Sequence, residues 1–339
     1  MFFIVIEYSV IYTGQHSETF DLLEAAFGTR SPDLNLVPNT EADTHVSFLG
    51  WCIRYWRNVL RMLIGRKWRG VKLGLVHGDT ASTLFGALTI KALGGDVAHV
   101  EAGLRSPRLL EPFPEEIIRR LVSRLSTLHF APDAASADNI AHHSGRIVNT
   151  RGNTLRDALH VALARIGGLP DVGGGGGYAV VSMHRSENLS SSETFTMLME
   201  EVISAASRLP VKFVLHPATR ARISSSGWLD RLKAAPGLEL QDRMDYPDFV
   251  QLLLASRFLM TDGGSNQEEA AMLGLPTLLL RRATERSDGL GDNVTISNLD
   301  PREIREFVER HRDAAWTVRA TEMDSPSRCI TDELIDALG

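Results

Sequence analysis

The sequence predicts an α/β protein made of two α/β halves with parallel sheets. Three observations predict it. Between Val71 and Ser106 a short apolar run, a turn, a segment with helical apolar spacing and a second apolar run follow one another, which is a βαβ unit. The same alternation restarts after five consecutive glycines, Gly173 to Gly177. Clusters of polar residues stand where strands end, the edge at which open parallel sheets bind ligands.

The chain opens apolar. MFFIVIEYSVIYTGQH is broken by Glu7 and lacks a basic leader or a small-residue cleavage site, so residues 2–13 read as a core strand and not as a signal peptide. Thr13-Gly14-Gln15-His16 turns, and Ser17 caps a helix through Phe27. Residues 31–45 form a Pro/Asn/Asp-rich loop before a long helix from Val46 to Lys67. In the βαβ unit, Val71 to Val76 is a strand and Thr80 or Ser82 caps the helix that carries Leu84, Ala87, Leu88 and Leu93. Gly94-Gly95 stops that helix, and Asp96 to Val100 is the second strand.

Prolines hold residues 107–114 out of regular structure, and Glu115-Glu116 open a helix through Ser126. A strand at Leu128 to Ala131, a helix at Ala134 to His142, a strand at Arg146 to Thr150 and a helix at Leu155 to Ala164 complete the first half. The five glycines read as a linker or hinge. The second half runs strand Tyr178–Met183, helix Glu193–Arg208, strand Val211–Leu215, helix Pro247–Ala255, strand Phe258–Thr261, helix Gln267–Leu273, strands Pro276–Leu280 and Asn293–Ser297, and helix Pro301–Ala314. The expected domains are 1–170, with the acids, 171–315, with an anion site, and a tail, 316–339. Facing sheet edges in such a pair would enclose a cleft.

Composition narrows the function classes. A chain of 339 residues suits two domains, and 43% apolar with 23% charged residues marks a soluble globular protein. A net charge of −6 without a long basic run gives no footprint for nucleic acid. No apolar segment reaches the ~20 residues of a membrane span. Arg54 to Arg69, among Trp51, Trp56 and Trp68, reads as an amphipathic helix with a solvated basic face. Two distant cysteines, Cys52 and Cys329, offer neither metal spacing nor a disulfide framework, which fits a reducing cytoplasm.

The candidate site residues follow from the strand ends. Asp79 and Glu101 end neighbouring strands on one edge, each beside a glycine. A carboxylate there is ordinarily a cap or a loop salt bridge, and Glu115 and Glu116 are explained equally well by the helix dipole. In the second half His184-Arg185 and His216 end successive strands, where a histidine is ordinarily a satisfied structural residue, but the adjacent arginine suits an anion. Thr261-Asp262-Gly263-Gly264-Ser265 before a helix makes an anion cradle of free N–H groups. Glu268 and Glu269 could accept ribose hydroxyls or merely suit the dipole, and Arg281 to Arg286 adds positive charge. A nucleotide diphosphate fits this half. There is no serine elbow, P-loop, zinc pattern or GxGxxG.

These strings resemble the non-hydrolysing UDP-N-acetylglucosamine 2-epimerases: TGQH (13–16), HGDTxST (77–83), HVEAGLRS (99–106), PEE followed by RR (114–120), GNT (152–154), HRxEN (184–188), HP (216–217), QEEAAMLGLPTLLLR (267–281) and TER (284–286). The resemblance implies the GT-B arrangement, two Rossmann-like domains facing a central cleft with the tail 316–339 packing back on the first, and interconversion of UDP-GlcNAc and UDP-ManNAc for surface polysaccharide precursors. It needs no NAD or other cofactor and no metal, and the family suggests a homodimer. UDP leaves with the C2 proton, a 2-acetamidoglucal stays bound, and UDP re-adds after protonation on the other face.

Matched residue by residue, Asp79, Glu101, Glu115 and His184 fall on the family's catalytic positions. His216, Gly264, Ser265 and Glu269 fall on UDP-binding positions, joined by Arg281, Glu285 and Arg286 beside the cradle, while Gln15 and Arg185 match positions used by a second, activating UDP-GlcNAc in some members. Two departures stand out. The family's first strand and its GTRPE-like loop precede TGQH, whereas Met1 here starts at the second strand, so the N-terminal domain is expected to lack its first strand. Asp-Gly-Gly-Ser at 262–265 replaces the common Asp-Ser-Gly-Gly. A variant UDP-sugar, a GT-B glycosyltransferase and a nucleotide-sugar-binding pseudoenzyme stay open as alternatives.

Overall fold

The computed structural model describes residues 7–15, 27–38, 40, 42, 45–65, 68, 70–106, 113–169, 172–284, 286–319 and 324–338. The first part of the strand expected over 2–13, nearly all of the helix expected from Ser17 to Phe27, and Glu285 lie outside these residues. The chain divides into two compact units, residues 1–157 with 324–339, and residues 158–323.

In the first unit, β1 (Ile11–Tyr12) and β2 (Leu34–Asn35) pair as a short parallel ribbon. Helix α1 (His45–Ile64) lies against it. A four-stranded parallel sheet follows, in the order β3 (Leu73–His77), β4 (Asp96–Val100), β5 (Leu128–Ala131) and β6 (Arg146–Asn149). Helix α2 (Ala81–Ala92) joins β3 to β4, α3 (Glu115–Leu125) joins β4 to β5, and α4 (Ala134–Ile140) joins β5 to β6. Alternation along β4 sends Val97 toward Ala87, Ile118 and Val122 of α2 and α3, while Ala98 and Val100 face the other way. That second face is closed by Ile330 and Leu334 of the C-terminal helix. Burial of this kind stabilises by about 1.5–3 kcal/mol per large aliphatic side chain.

Helix α5 (Leu155–Arg165) leads into the second unit, where β7 (Val172–Gly173) begins the chain's next segment. Its sheet has six parallel strands. In chain order they are β8 (Ala179–Met183), β9 (Val211–Leu215), β10 (Leu238–Asp242), β11 (Leu259–Thr261), β12 (Thr277–Leu279) and β13 (Val294–Ile296), arranged β10-β9-β8-β11-β12-β13. Helices α6 (Ser186–Ser190), α7 (Ser192–Ala206), α8 (Pro217–Ser225), α9 (Leu229–Ala234), α10 (Tyr246–Ala255), α11 (Gly264–Leu273) and α12 (Pro301–His311) connect them. Ala179, Val181 and Met183 of β8 meet α7 and α12, and Tyr178 and Val180 meet α5 and α10 on the opposite face. The chain ends with β14 (Trp316–Thr317) and α13 (Pro326–Leu338).

Three expectations need correction. The five glycines are not a free hinge: the division between units falls after Asp157, inside α5, and the glycines belong to the second unit. β7 pairs antiparallel with β14, Gly174 N–H donates to Leu254 O at 3.1 Å and Gly176 N–H to Ala255 O at 2.9 Å. Glycine is needed here for close packing, because a Cβ on Gly173 would collide with the Trp316 indole. Second, α8, α9 and β10 occupy the stretch between His216 and Pro247, where no elements were expected; the helices are short and polar, and β10 is a half-exposed edge strand. Third, α11 starts at Gly264 rather than Gln267.

Candidate active site

In the first unit the register of β3 and β4 sets His77 opposite Val100, so the turn at Gly78-Asp79 and the residue Glu101 leave the same sheet edge side by side. The turn is tightly specified. Thr80 caps α2 in a reciprocal box with Thr83, and the Thr83 hydroxyl donates to His77 O at 2.6 Å. Gly78 sits at φ +74, and its N–H donates to Val100 O at 3.1 Å. His99, buried inside β4, donates from Nε2 to Gly78 O at 2.8 Å; burial pushes its imidazole down to about 4, so it is neutral and can donate.

Asp79 is held from α3. Arg119 donates to Asp79 Oδ2 from Nε at 2.8 Å and from Nη2 at 2.6 Å. The two glutamates at the start of α3 separate into different environments. Glu116 is fully buried and accepts from Ser106 N at 3.0 Å and from Arg120 Nε at 2.8 Å, with Arg119 Nη1 at 3.6 Å. Glu115, one position earlier, has a buried Oε2 with no hydrogen-bond partner. A buried unpaired carboxylate oxygen is costly unless something occupies it in the working state.

Glu101, the residue after β4, has φ 64, a conformation that costs a non-glycine residue about 1–2 kcal/mol. The flanking backbone enforces it, with Ala102 N–H donating to Phe130 O at 2.9 Å. The side chain accepts from Asn153 Nδ2 at 2.8 Å and lies 3.7 Å from His77 Nε2. Gln15 reaches this edge from the ribbon: its Oε1 accepts from Ser82 Oγ at 2.7 Å, and Ser82 also bonds Thr13 at 2.9 Å. Asp79, Glu101, the N-terminal turn of α3 and Gln15 thus converge on the α2 end of the sheet.

The second unit holds a separate cluster at the ends of β8, β9 and β11, three adjacent strands. Its centre is Asp262, fully buried just past β11. Asp262 accepts from His184 N at 2.9 Å, Arg185 N at 3.1 Å and Asn188 Nδ2 at 3.0 Å, and its Oδ1 lies 3.6 Å from His184 Nδ1. Desolvation lowers the His184 imidazole against the attraction of Asp262. His216, the N-cap of α8, lies beside it, the two rings tilted by 32° with centroids 5.0 Å apart. Burial takes His216 down to about 4, and its Nδ1 is buried with no hydrogen-bond partner.

Gly263 and Gly264 let these groups crowd the start of α11. A Cβ on Gly263 would come within 2.9 Å of His184 Cε1, and one on Gly264 within 2.9 Å of Arg286 Nε and 3.7 Å of Arg185 Nη2. Two guanidinium groups therefore border a helix N-terminus whose N–H groups are free to meet an anion. Ser265 is exposed in the first turn. Glu268 pairs with Arg286. Glu269 is buried, and burial lifts its carboxyl to about 7 against the lowering effect of the Tyr246 hydroxyl. Arg281 follows β12 and is half-buried.

Arg119, Asn153, Asn188 and Asp262 stand in the same set of strings as the candidate residues, but nothing in the sequence gives them a role. Partnership across elements is the missing signal: Arg119 meets Asp79 from 40 positions away, and Asp262 meets His184 from 78. Among the described residues no group of three or more His, Cys, Asp or Glu could hold a metal, and no helix is long and apolar enough to cross a membrane.

A family model described as UDP-N-acetylglucosamine 2-epimerase matches residues 5–327. The chain belongs to this family. Among relatives, the UDP-N-acetylglucosamine 2-epimerase of Methanococcus maripaludis is 30% identical over 318 residues, 90% of this chain and 84% of that protein. That of Bacillus subtilis is 30% identical over 316 residues, covering 90% and 79%. The crystal structure of Methanocaldococcus jannaschii UDP-GlcNAc 2-epimerase in complex with UDP-GlcNAc and UDP has a TM-score of 0.80 at 25% identity, covering 97% of this chain and 92% of that one. The Neisseria meningitidis epimerase bound to UDP-GlcNAc gives 0.79 at 26% identity, covering 98% and 92%. The fold shared with these epimerases is the GT-B-like α/β arrangement.

Proposed function

We propose that this chain interconverts UDP-GlcNAc and UDP-ManNAc by eliminating and re-adding UDP. The observation that carries the reading is the carboxylate set of the first unit: Asp79 and Glu101 leave adjacent strands at one edge, and Arg119 ties Asp79 to the helix that Glu115 opens. Inverting a carbon whose C–H bond is weakly acidic requires carboxylates on both faces of the sugar, held close and partly desolvated.

In this reading one carboxylate of the Asp79 and Glu115 pair takes the C2 proton. The C2–H electron pair forms the C1–C2 double bond, and the C1–O pair leaves with the diphosphate. The other group of the pair, as the protonated carboxylic acid, gives its proton to the opposite face of C2. There the C1–C2 double-bond pair forms the new C–H bond as the diphosphate oxygen re-forms the bond to C1, so no oxidant or reductant is consumed. Glu101 serves as a shuttle or supporting acid, held by the Asn153 amide with His77 beside it.

The second unit takes the leaving group. Neutral His184, oriented by Asp262, and Arg185 with Arg286 at the start of α11 meet the departing diphosphate. His216 lies beside the same site, and Glu269, whose carboxyl is held near 7, would bond ribose hydroxyls. Ser265, Arg281 and Glu285 are the remaining proposed nucleotide contacts, and Gln15 with Arg185 would meet a second, activating nucleotide sugar.

The test is proton NMR of the purified chain with UDP-GlcNAc in D2O. Deuterium entering C2 as UDP-ManNAc grows in is the expected result, with both signals lost in Asp79→Asn and Glu115→Gln. UDP bound without any C2 exchange would overturn the reading.

A further inference from the structure

Neither proton transfer at C2 uses the imidazole of His77, two residues before Asp79. His77 is the last residue of β3. Alternation along the strand turns Val76 into the core and His77 outward, and the Thr83 hydroxyl, donating to His77 O at 2.6 Å, pins the backbone that sets this direction. The His77 side chain is 57% exposed, whereas that of Glu101, the carboxylate it faces, is 15% exposed. Glu101 divides its two oxygens. Oε1 accepts from Asn153 Nδ2 at 2.8 Å, and the Asn153 amide is itself fixed by accepting from Leu155 N at 3.0 Å. Oε2 lies 3.7 Å from His77 Nε2 and borders the Asp79 turn, 3.6 Å from where a Cβ on Gly78 would stand.

We propose that His77 is the relay that returns Asp79 to its starting protonation state after each turnover, passing protons between the Glu101 carboxylate and water. The inference rests on the epimerase reading, because a two-sided proton transfer at C2 creates the need. Each epimerisation leaves one member of the Asp79 and Glu115 pair with a proton gained and the other with a proton lost. The same direction cannot run again until both are reset. When Asp79 has taken the C2 proton, it gives it to the Glu101 carboxylate, and Glu101 gives it to His77 Nε2. The imidazolium then releases the proton on Nδ1 to water. When Asp79 has supplied a proton, the same three transfers run in reverse. An imidazole suits the outer position because it accepts at one ring nitrogen while donating from the other. The 3.7 Å gap is about 0.8 Å beyond an ordinary hydrogen bond, within reach of a change in one side-chain torsion.

An exposed histidine beside a carboxylate is ordinarily a weak surface pair. Two features set this one apart. The carboxylate is held inward by Asn153, and the oxygen that faces the imidazole is the one that borders the Asp79 turn.

Steady-state kinetics of the full chain with UDP-GlcNAc, followed by proton NMR, test the relay. His77→Gln keeps a donor for Glu101 but cannot carry a proton. It should lower kcat by about 10- to 100-fold and KM in the same proportion. The ratio kcat/KM should hold, because resetting the free enzyme limits the rate only at saturating substrate. The far-UV spectrum and thermal midpoint should not move, since the side chain faces water. In His77→Ala, imidazole added to the buffer should restore kcat as its concentration rises, with no effect on the wild type. An unchanged kcat in His77→Gln, a fall in kcat/KM alongside kcat, or the absence of imidazole rescue would overturn the proposal, while C2 exchange by the wild type leaves the epimerase reading standing. A wild type without C2 exchange would remove that reading and the relay with it.

Discussion

Arg119 grips a single oxygen of Asp79: both its Nε and its Nη2 fall on Oδ2, at 2.8 and 2.6 Å, leaving Oδ1 outside that clamp. The same guanidinium also meets Ser106 Oγ at 3.3 Å and lies 3.6 Å from Glu116. One side chain therefore couples the β3 turn, the segment after β4 and the first turns of α3. Arg119→Lys keeps a charge but cannot present two donors to one oxygen. We expect it to lower kcat more than it raises KM, by about 10- to 100-fold, and to cost about 1 kcal/mol of stability as the hydrogen bond to Ser106 Oγ is lost. Steady-state kinetics and urea unfolding measure the two effects separately.

The adjacent glutamates of α3 make a sharper contrast. Glu116 is a buried structural anchor with several donors, whereas Glu115 holds a buried oxygen with none. Glu116→Gln should lower the thermal midpoint, with activity falling only as folded protein is lost. Glu115→Gln should leave the midpoint unchanged or raise it, and should reduce C2 exchange by at least about 100-fold. An inverted pattern would reassign the two roles.

Asp262 organises the second cluster by accepting two backbone N–H groups and the Asn188 amide. Asp262→Asn turns one of its oxygens into a donor facing those donors, at a cost of about 2–3 kcal/mol. UDP affinity, read by calorimetry, should weaken, because His184 and Arg185 lose their shared anchor. Asn188→Ala, which removes one bond to Asp262 and one to Leu280 O, should do less to affinity than Asp262→Asn.

Acid should destabilise the protein in a defined window. His99 and His216 lie at about 4 in the folded chain, below the ordinary 6.5. The unfolded chain therefore takes up protons that the folded chain refuses, and stability falls as pH drops from about 6.5 toward 4. Glu269 works in the opposite sense. Its carboxyl is raised from 4.5 to about 7, so its contribution is full below 4.5 and lost as pH rises through 7. With two groups against one, net stability should fall on acidification. His99→Gln, which keeps a donor for Gly78 O, should flatten the acid limb in denaturant titrations at several pH values.

Much of this was legible in the residues. The strands at Asp96–Val100, Leu128–Ala131 and Val211–Leu215 were read with the ends they have in the structure, because buried parallel strands are short apolar runs bounded by glycine, proline or charge. The strand-end positions of Asp79, Glu101, His184 and His216 were legible for the same reason. The glycine run misled, because composition alone cannot distinguish a flexible linker from backbone packed too tightly for a Cβ, as Gly173 is under Trp316. The sequence puts the start of α11 late because glycines are poor helix formers, yet here they let His184, Arg185 and Arg286 crowd the helix end.

The sequence by itself determined the periodic elements, the strand edges that carry polar residues and, through its strings, the family. These depend on local spacing, and spacing is written in the chain. Only the tertiary structure decided which glutamate of α3 is an anchor and which is left open, which residue grips Asp79, and which apolar face of α1 is buried. Those outcomes depend on which atoms come within about 3 Å of each other across tens of residues, a relation set by packing and carried by no local pattern.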